Sequence, residues 1–177
     1  MNVLEGKNIK LRAPEPEDLE IMYQWENDTK IWHVSNTLTP FSKFTLRKYI
    51  EESHLDIFEA RQLRFMIDTI DHPTRTIGTI DLFDFDPHHL RAGIGILIGD
   101  NYDRGKGFAK DALEVVIDYC NNVLMLHQLF CNIHPENENS LKLFQNYGFI
   151  ITGEKKDWNR TTNGWSSELF LQRILKE

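Results

Sequence analysis

The stretch from 94 to 113 constrains this chain more than any other. Ile94-Gly95-Ile96-Leu97-Ile98 is a short apolar run of strand type, and Arg104-Gly105-Lys106-Gly107-Phe108-Ala109 follows it and opens a helical pattern. A strand that feeds a helix through a glycine turn belongs to an α/β fold. Glycine lets a backbone approach phosphate oxygens closely, and a helix start turns its unpaired N–H groups and positive dipole end towards them. Several charge-assisted bonds of about 1.5–3 kcal/mol each suffice to hold a diphosphate without a metal. Such a turn also occurs as plain structure, so its six residues need support from the rest of the chain.

Three glycine-loop patterns compete for this segment, and counting separates them. A dinucleotide-binding fingerprint needs G-x-G-x-x-G or a closing Ala, and from Gly105 the closing position is Lys110. A P-loop needs four residues before its Gly-Lys pair and then Ser or Thr; here the count is five, from Asp100 to Arg104, and Gly107 follows Lys106. The third pattern, R/Q-x-x-G-x-A/G at a strand-to-helix turn, is filled without a gap by Arg104, Gly107 and Ala109. Here the sequence resembles the GNAT superfamily of acyl-CoA-dependent N-acetyltransferases, whose coenzyme A diphosphate sits on such a loop. The resemblance implies acetyl-CoA as cosubstrate, with Arg104, Gly105, Lys106, Gly107, Phe108 and Ala109 around its diphosphate.

The remaining elements support that resemblance. Asn8 to Ala13 alternates as a first strand, and Pro14 to Asp18 starts a helix carrying Leu19, Met22 and Tyr23 on one stripe. Residues 27–41 read as an irregular substrate-side loop, and 42–58 returns to helical spacing. Strands follow at 63–70, 76–85 and 91–98, joined by turns at Asp71-His72-Pro73-Thr74 and Asp86-Pro87-His88-His89. A helix from Gly107 to Val123, a strand at 128–134, a helix at 137–147 closed by Gly148, and a hairpin around Asn163-Gly164 complete the order β-α-α-β-β-β-α-β-α-β-β. This is the order of a GNAT fold: an α/β architecture with a mixed twisted sheet of about seven strands flanked by about four helices, covering 1–177 as one domain. The strand from Gln128 follows a crossover helix and should lie parallel to the strand ending at Ile98, and splaying of that pair would open a slot beneath the loop.

Downstream, Asn137-Glu138-Asn139-Ser140 and the Gly148-Phe149 ending look like the branch that holds ribosomal-protein and spermidine/diamine acetyltransferases. There the Asn contacts the pantetheine and the next helix lines the coenzyme arm, which maps onto Asn137, Asn139, Ser140, Lys142 and Phe144. A plain helix N-cap explains Asn137 or Asn139 equally simply. By the same resemblance Ile96, Leu97 and Ile98 pair their backbone with the pantetheine as an added strand, and the amide near Leu97 donates to the thioester carbonyl as charge develops on it. Relatives place a tyrosine acid four residues after the motif serine, where this chain has Phe144, so no general acid carries over. Tyr147 falls about 300° round the helix from the motif position and reads as core packing.

Attack on the thioester needs an amine relieved of its proton, since an alkyl ammonium near ~10.4 holds it firmly while a thiol near ~8.5 leaves readily. Asp81 and Asp84 are candidate bases on the third strand; three apart, they point to opposite faces, and the resemblance favours Asp81. A solvated strand-edge charge explains either as well. Two departures from the polyamine branch stand out: Gly93 replaces a strand Glu, and Ser35-Asn36-Thr37-Leu38 replaces an acidic loop. Trp32, His33, Phe41 and Trp158 are candidates for the wall of an aromatic or uncharged acceptor pocket, or for plain packing.

A net charge of -7 argues against nucleic acid as the main partner, and no apolar run reaches a membrane span. The N-terminal residues lack the pattern of a signal peptide, so a cytoplasmic location is expected. Cys120 and Cys131 read as buried free thiols, and the scattered histidines give no metal spacing. The expectation is an acetyl-CoA-dependent N-acetyltransferase whose acceptor is a small primary amine of diamine or polyamine type; the resemblance also implies a homodimer, since relatives often pair as dimers. Alternatives are a protein or peptide N-terminal acetyltransferase, an antibiotic-amine acetyltransferase, a non-catalytic acyl-CoA sensor and a nucleotide-binding module.

Overall fold

A computed structural model describes residues 3–35 and 37–175. Seven strands form one sheet in the order β1-β2-β3-β4-β5-β7-β6, with β1 at Ile9–Arg12, β2 at Leu63–Thr69, β3 at Thr76–Asp86, β4 at Arg91–Ile98, β5 at Gln128–Ile133, β6 at Ile150–Thr161 and β7 at Gly164–Ile174. Every neighbouring pair is antiparallel except β4 and β5. The parallel pair is the one joined through a helix, α5 at Phe108–Asn122, because parallel neighbours need a crossover long enough to return the chain.

Strand alternation sorts the sheet into two faces. Ile80, Leu82, Ile94, Leu129, Cys131 and Leu171 are buried against α5 residues Ala112, Leu113 and Val116, and α6 at Glu138–Asn146 adds Phe144 to the same core. The helical spacing of Phe108, Ala112, Val115 and Val116 keeps the buried stripe of α5 continuous. On the other face Met66 meets Met22 of α1 (Leu19–Glu26) and Leu46 and Ile50 of α3 (Lys43–Glu51). Burial pushes the thiols of Cys120 and Cys131 up to about 12.

Arg12 ties the start of the chain to this frame. Its guanidinium donates to Asp18 Oδ2 and Asp68 Oδ2 at 2.7 Å and to Thr76 Oγ1 at 3.0 Å. Both carboxylates are buried, and a buried carboxylate is tolerable only with such a partner.

Two local differences from the sequence expectation have visible causes. The helix expected over 42–58 stops at Glu51, because Asp56 accepts hydrogen bonds from the amides of Phe58 and Glu59 and caps a new short helix, α4 at Ile57–Ala60. Within the expected loop, α2 forms at Trp32–Ser35, with the Trp32 indole donating to Glu26 O at 2.9 Å. Asn36 of the segment that replaces the acidic loop, and the His33 side chain, lie outside what is described. The final hairpin turns at 162–163, between the paired Thr161 and Gly164.

Candidate active site

β4 and β5 pair over only three positions, Arg91 with Gln128, Ala92 with Leu129 and Gly93 with Phe130. Beyond them the strands part and a cavity of about 790 Å³ opens. Ile96, Leu97 and Ile98 line one side, His134, Glu136 and Asn137 the other, and the turn from Arg104 to Lys110 closes the end. The expected slot is therefore present where the parallel pair fails.

The ladder decides which β4 amides face it. Gly99 donates to Ile77 O at 3.0 Å, and Thr79 partners Leu97, so alternation directs the Leu97 amide to β3. The carbonyl of Leu97 points the same way, since a Cβ on Gly78 would meet it at 2.1 Å. Ile98 points oppositely: its carbonyl takes the Arg104 Nε hydrogen at 3.0 Å. This corrects the expectation for Leu97, whose amide is bound in the sheet; the donors turned to the slot are the amides of Ile96 and Ile98.

The glycine turn has the conformation its sequence demands. Gly105 and Gly107 have φ of 76° and 89°, and nothing stands within 4 Å of where a Cβ would be, so the backbone is bare on its open side. Gly107 caps α5 without a side-chain bond, leaving the first amides of a 15-residue helix to an incoming anion. Asp103, buried beneath the turn, is held by Arg75 at 3.0 and 3.1 Å with Lys106 at 3.7 Å. The Arg75 bonds hold its carboxyl below the usual range, so it does not leave an unpaired charge beside a phosphate site. Lys106 sits over the Tyr102 ring and is not among the residues lining the cavity, whereas Arg104 and Lys110 are.

Of the downstream residues, Asn137, Asn139 and Ser140 line the cavity. Asn137 also caps α6, its Oδ1 accepting from the Ser140 amide at 3.2 Å, so the capping and lining roles coexist in one side chain. Lys142 and Phe144 do not line it. Lys142 points to solvent beside Glu138 at 3.3 Å, and Phe144 is buried edge-on to Phe149 at 5.1 Å. Leu143 lines the cavity in their place, four residues after Asn139 and three after Ser140, while Phe144 turns into the core. Tyr147 donates to Glu114 at 3.2 Å and packs against the core.

Asp81 lies elsewhere. It faces a second cavity of about 290 Å³ on the α1 and α3 side, with Glu26, Tyr49 and Phe41. Its cross-strand partner is Arg64, which grips it at 2.8 and 2.7 Å and reaches Glu26 at 2.6 Å. The expectation that Asp81 faces the slot as a base is corrected: it lines a separate cavity and its lone pairs are engaged by a guanidinium. Asp84 is exposed, with a φ of 48° in the irregular stretch between Phe83 and Asp86. Gly93, which replaces the strand Glu, is occupied from outside: a Cβ there would stand 2.2 Å from the Phe83 ring, itself edge-on to Phe130 at 5.8 Å.

One cluster escaped the sequence reading. His134 lies half-buried at the end of β5, its Nδ1 3.1 Å from Ser166 Oγ and its Nε2 3.1 Å from Asn159 Nδ2. Behind it Lys155 bonds Glu168 and Asn132, each at 2.9 Å. The alternation of Phe130, Asn132 and His134 was a usable signal, but it needed the point at which β5 leaves β4.

The sequence pattern described as acetyltransferase (GNAT) domain matches residues 8–150. This chain belongs to the GNAT acetyltransferase family. As a GNAT enzyme it is an acetyl-CoA-dependent N-acetyltransferase, and the bare turn, the helix start and the free β4 edge fit that cosubstrate. It is 29% identical over 177 residues to an N-acetyltransferase, p20, of Bacillus licheniformis, covering 99% of this chain and 97% of the relative. It is 28% identical over 150 residues to the spermidine N(1)-acetyltransferase of Escherichia coli K12, covering 83% and 75% respectively. Its fold matches the crystal structure of spermidine N-acetyltransferase from Vibrio cholerae in complex with CoA and spermine, with a TM-score of 0.84 at 22% identity over 95% of this chain and 96% of that one. No helix among the described residues is long and apolar enough to cross a membrane.

Proposed function

We propose that this GNAT enzyme, with residues 1–177 working as one domain, transfers acetyl from acetyl-CoA to a primary amine of a small molecule by direct attack in a ternary complex. The observation that carries this reading is the parting of β4 from β5 with the Ile96 and Ile98 amides turned into the gap. A pantetheine chain laid there as an added strand takes those amides as partners, while its diphosphate meets the amides that open α5. The thioester carbonyl then lies against a backbone donor, which stabilises the oxygen as the amine adds. The thiol, near ~8.5, departs as thiolate without an acid, which suits a chain with Phe144 where relatives carry tyrosine.

For the acceptor, likeness to spermidine acetyltransferases supports a diamine or polyamine. The charges narrow that class. Asp81 and Glu26 share Arg64, Glu168 is paired with Lys155, and Asp103 with Arg75. Carboxylates already engaged by guanidinium or ammonium groups hold a long polycation weakly, so a short diamine or a monoamine fits better than a tetraamine. Thiol release from acetyl-CoA with a panel of monoamines, diamines, spermidine, spermine and N-terminal peptides tests this. Higher kcat/KM for the short amines is expected; turnover of peptides alone, or acetyl-CoA binding with no turnover of any amine, overturns it.

A further inference from the structure

We propose that His134 takes the proton of the acceptor ammonium, an assignment that rests on the direct-attack reading above. Gly93 and Phe130 are the last register partners of β4 and β5, so four residues further Leu97 stands opposite His134 across the gap. Both line the large cavity. Parity puts His134 on the same face as Phe130 and Asn132, opposite the α5 core, where the β6–β7 hairpin adds Asn159 and Ser166.

The ring is held at both nitrogens. An amide nitrogen only donates, so Asn159 Nδ2 gives its hydrogen to Nε2, and Nδ1 carries the ring proton towards Ser166 Oγ. The neutral ring thus aims a basic lone pair at a replaceable neutral donor. An ammonium is the stronger, charge-assisted donor and displaces the Asn159 amide at Nε2. Charged groups facing the ring's surroundings are Lys155 of β6, Glu168 of β7 and Glu136 after β5. Across the cavity stand Lys30, Arg104, Lys110 and the ion-paired Asp103. Glu168 lies 3.5 Å from Asn159 and offers a negative neighbour to an imidazolium. Among the described residues lining this cavity, His134 is the one imidazole, and both of its ring nitrogens are fixed by hydrogen bonds.

The proton balance closes. The ammonium gives one proton to Nε2, the free amine adds to the thioester carbon, and the C–S electrons leave on sulfur. Nitrogen gives its second proton to solvent as the amide forms, which balances the charge of the departing thiolate, and His134 then releases the first to solvent as well.

The test is steady-state acetylation of an amine that the wild type turns over, followed against pH, for His134→Gln and Ser166→Ala, with acetyl-CoA affinity measured separately. H134Q should lower kcat about 10²-fold or more, remove the acid limb, regain rate as pH rises and leave acetyl-CoA affinity unchanged. S166A keeps the ring and should displace the limb with a several-fold loss; it also serves if H134Q fails to fold. Wild-type-like rate and limb in H134Q, or an unmoved limb in S166A, overturn the assignment while leaving the direct-attack reading intact. A wild type that binds acetyl-CoA but acetylates no amine overturns both.

Discussion

At the scale of single residues, two glycines do different work. Gly107 is needed for its backbone: at a φ of 89° an L side chain is strained, and one there would also stand on the open side of the turn. Gly107→Ala should cost about 1 kcal/mol of stability and raise the KM for acetyl-CoA about tenfold, read by denaturant unfolding and initial rates. Gly93 is needed for its emptiness, since Phe83 fills the space a side chain would claim. Gly93→Glu, which restores the residue type of the polyamine branch, should therefore cost about 1–3 kcal/mol. In the Phe83→Ala background the same change should cost clearly less, and equal costs in a double-mutant cycle would show that the ring is not the obstacle. Asp81 makes the complementary point: its residue type suits a base, but the Arg64 fork decides what it does.

Among elements, the junction of β4, the turn and α5 concentrates the charge. Asp103 sits beneath it with its carboxyl held below the ordinary 3.8 by the Arg75 bonds. A carboxyl whose folded value lies below its unfolded one stabilises the fold fully at pH above the unfolded value, and that stabilisation disappears as pH falls through the folded value. Asp103→Asn should thus be less stable than wild type at neutral pH and should lose less further stability on acidification below about pH 4, where only the wild type still has that proton to take up. Unfolding midpoints followed by circular dichroism from pH 7 to pH 2 check both parts. The same junction shows why β4 matters more than its side chains: Arg104 satisfies the Ile98 carbonyl, so the strand edge stays ordered while its amides remain available.

For the whole molecule, cosubstrate binding should appear as stability. Acetyl-CoA at about a hundred times its Kd should stabilise the fold by about 2.7 kcal/mol, seen as a rise in melting temperature, and ATP at the same concentration should protect much less because it lacks the pantetheine that meets β4. Equal protection by ATP would mean that the turn alone makes the site. The seven strands and the longer helices, the two glycines of the turn, and a cap at Asn137 or Asn139 were legible in the sequence, because periodicity, sterics and capping act between near neighbours in the chain; the short helices α2 and α4 were not. The break of the 42–58 helix at Asp56 was missed because helical spacing of apolar residues resumes across it. What only the tertiary structure decided is who faces whom. Arg64 meets Asp81 across a register, the Ile96 and Ile98 amides rather than that of Leu97 turn outward, and His134 comes opposite Leu97. Those outcomes depend on where one strand stops pairing with the next, which is set by packing between segments far apart in sequence.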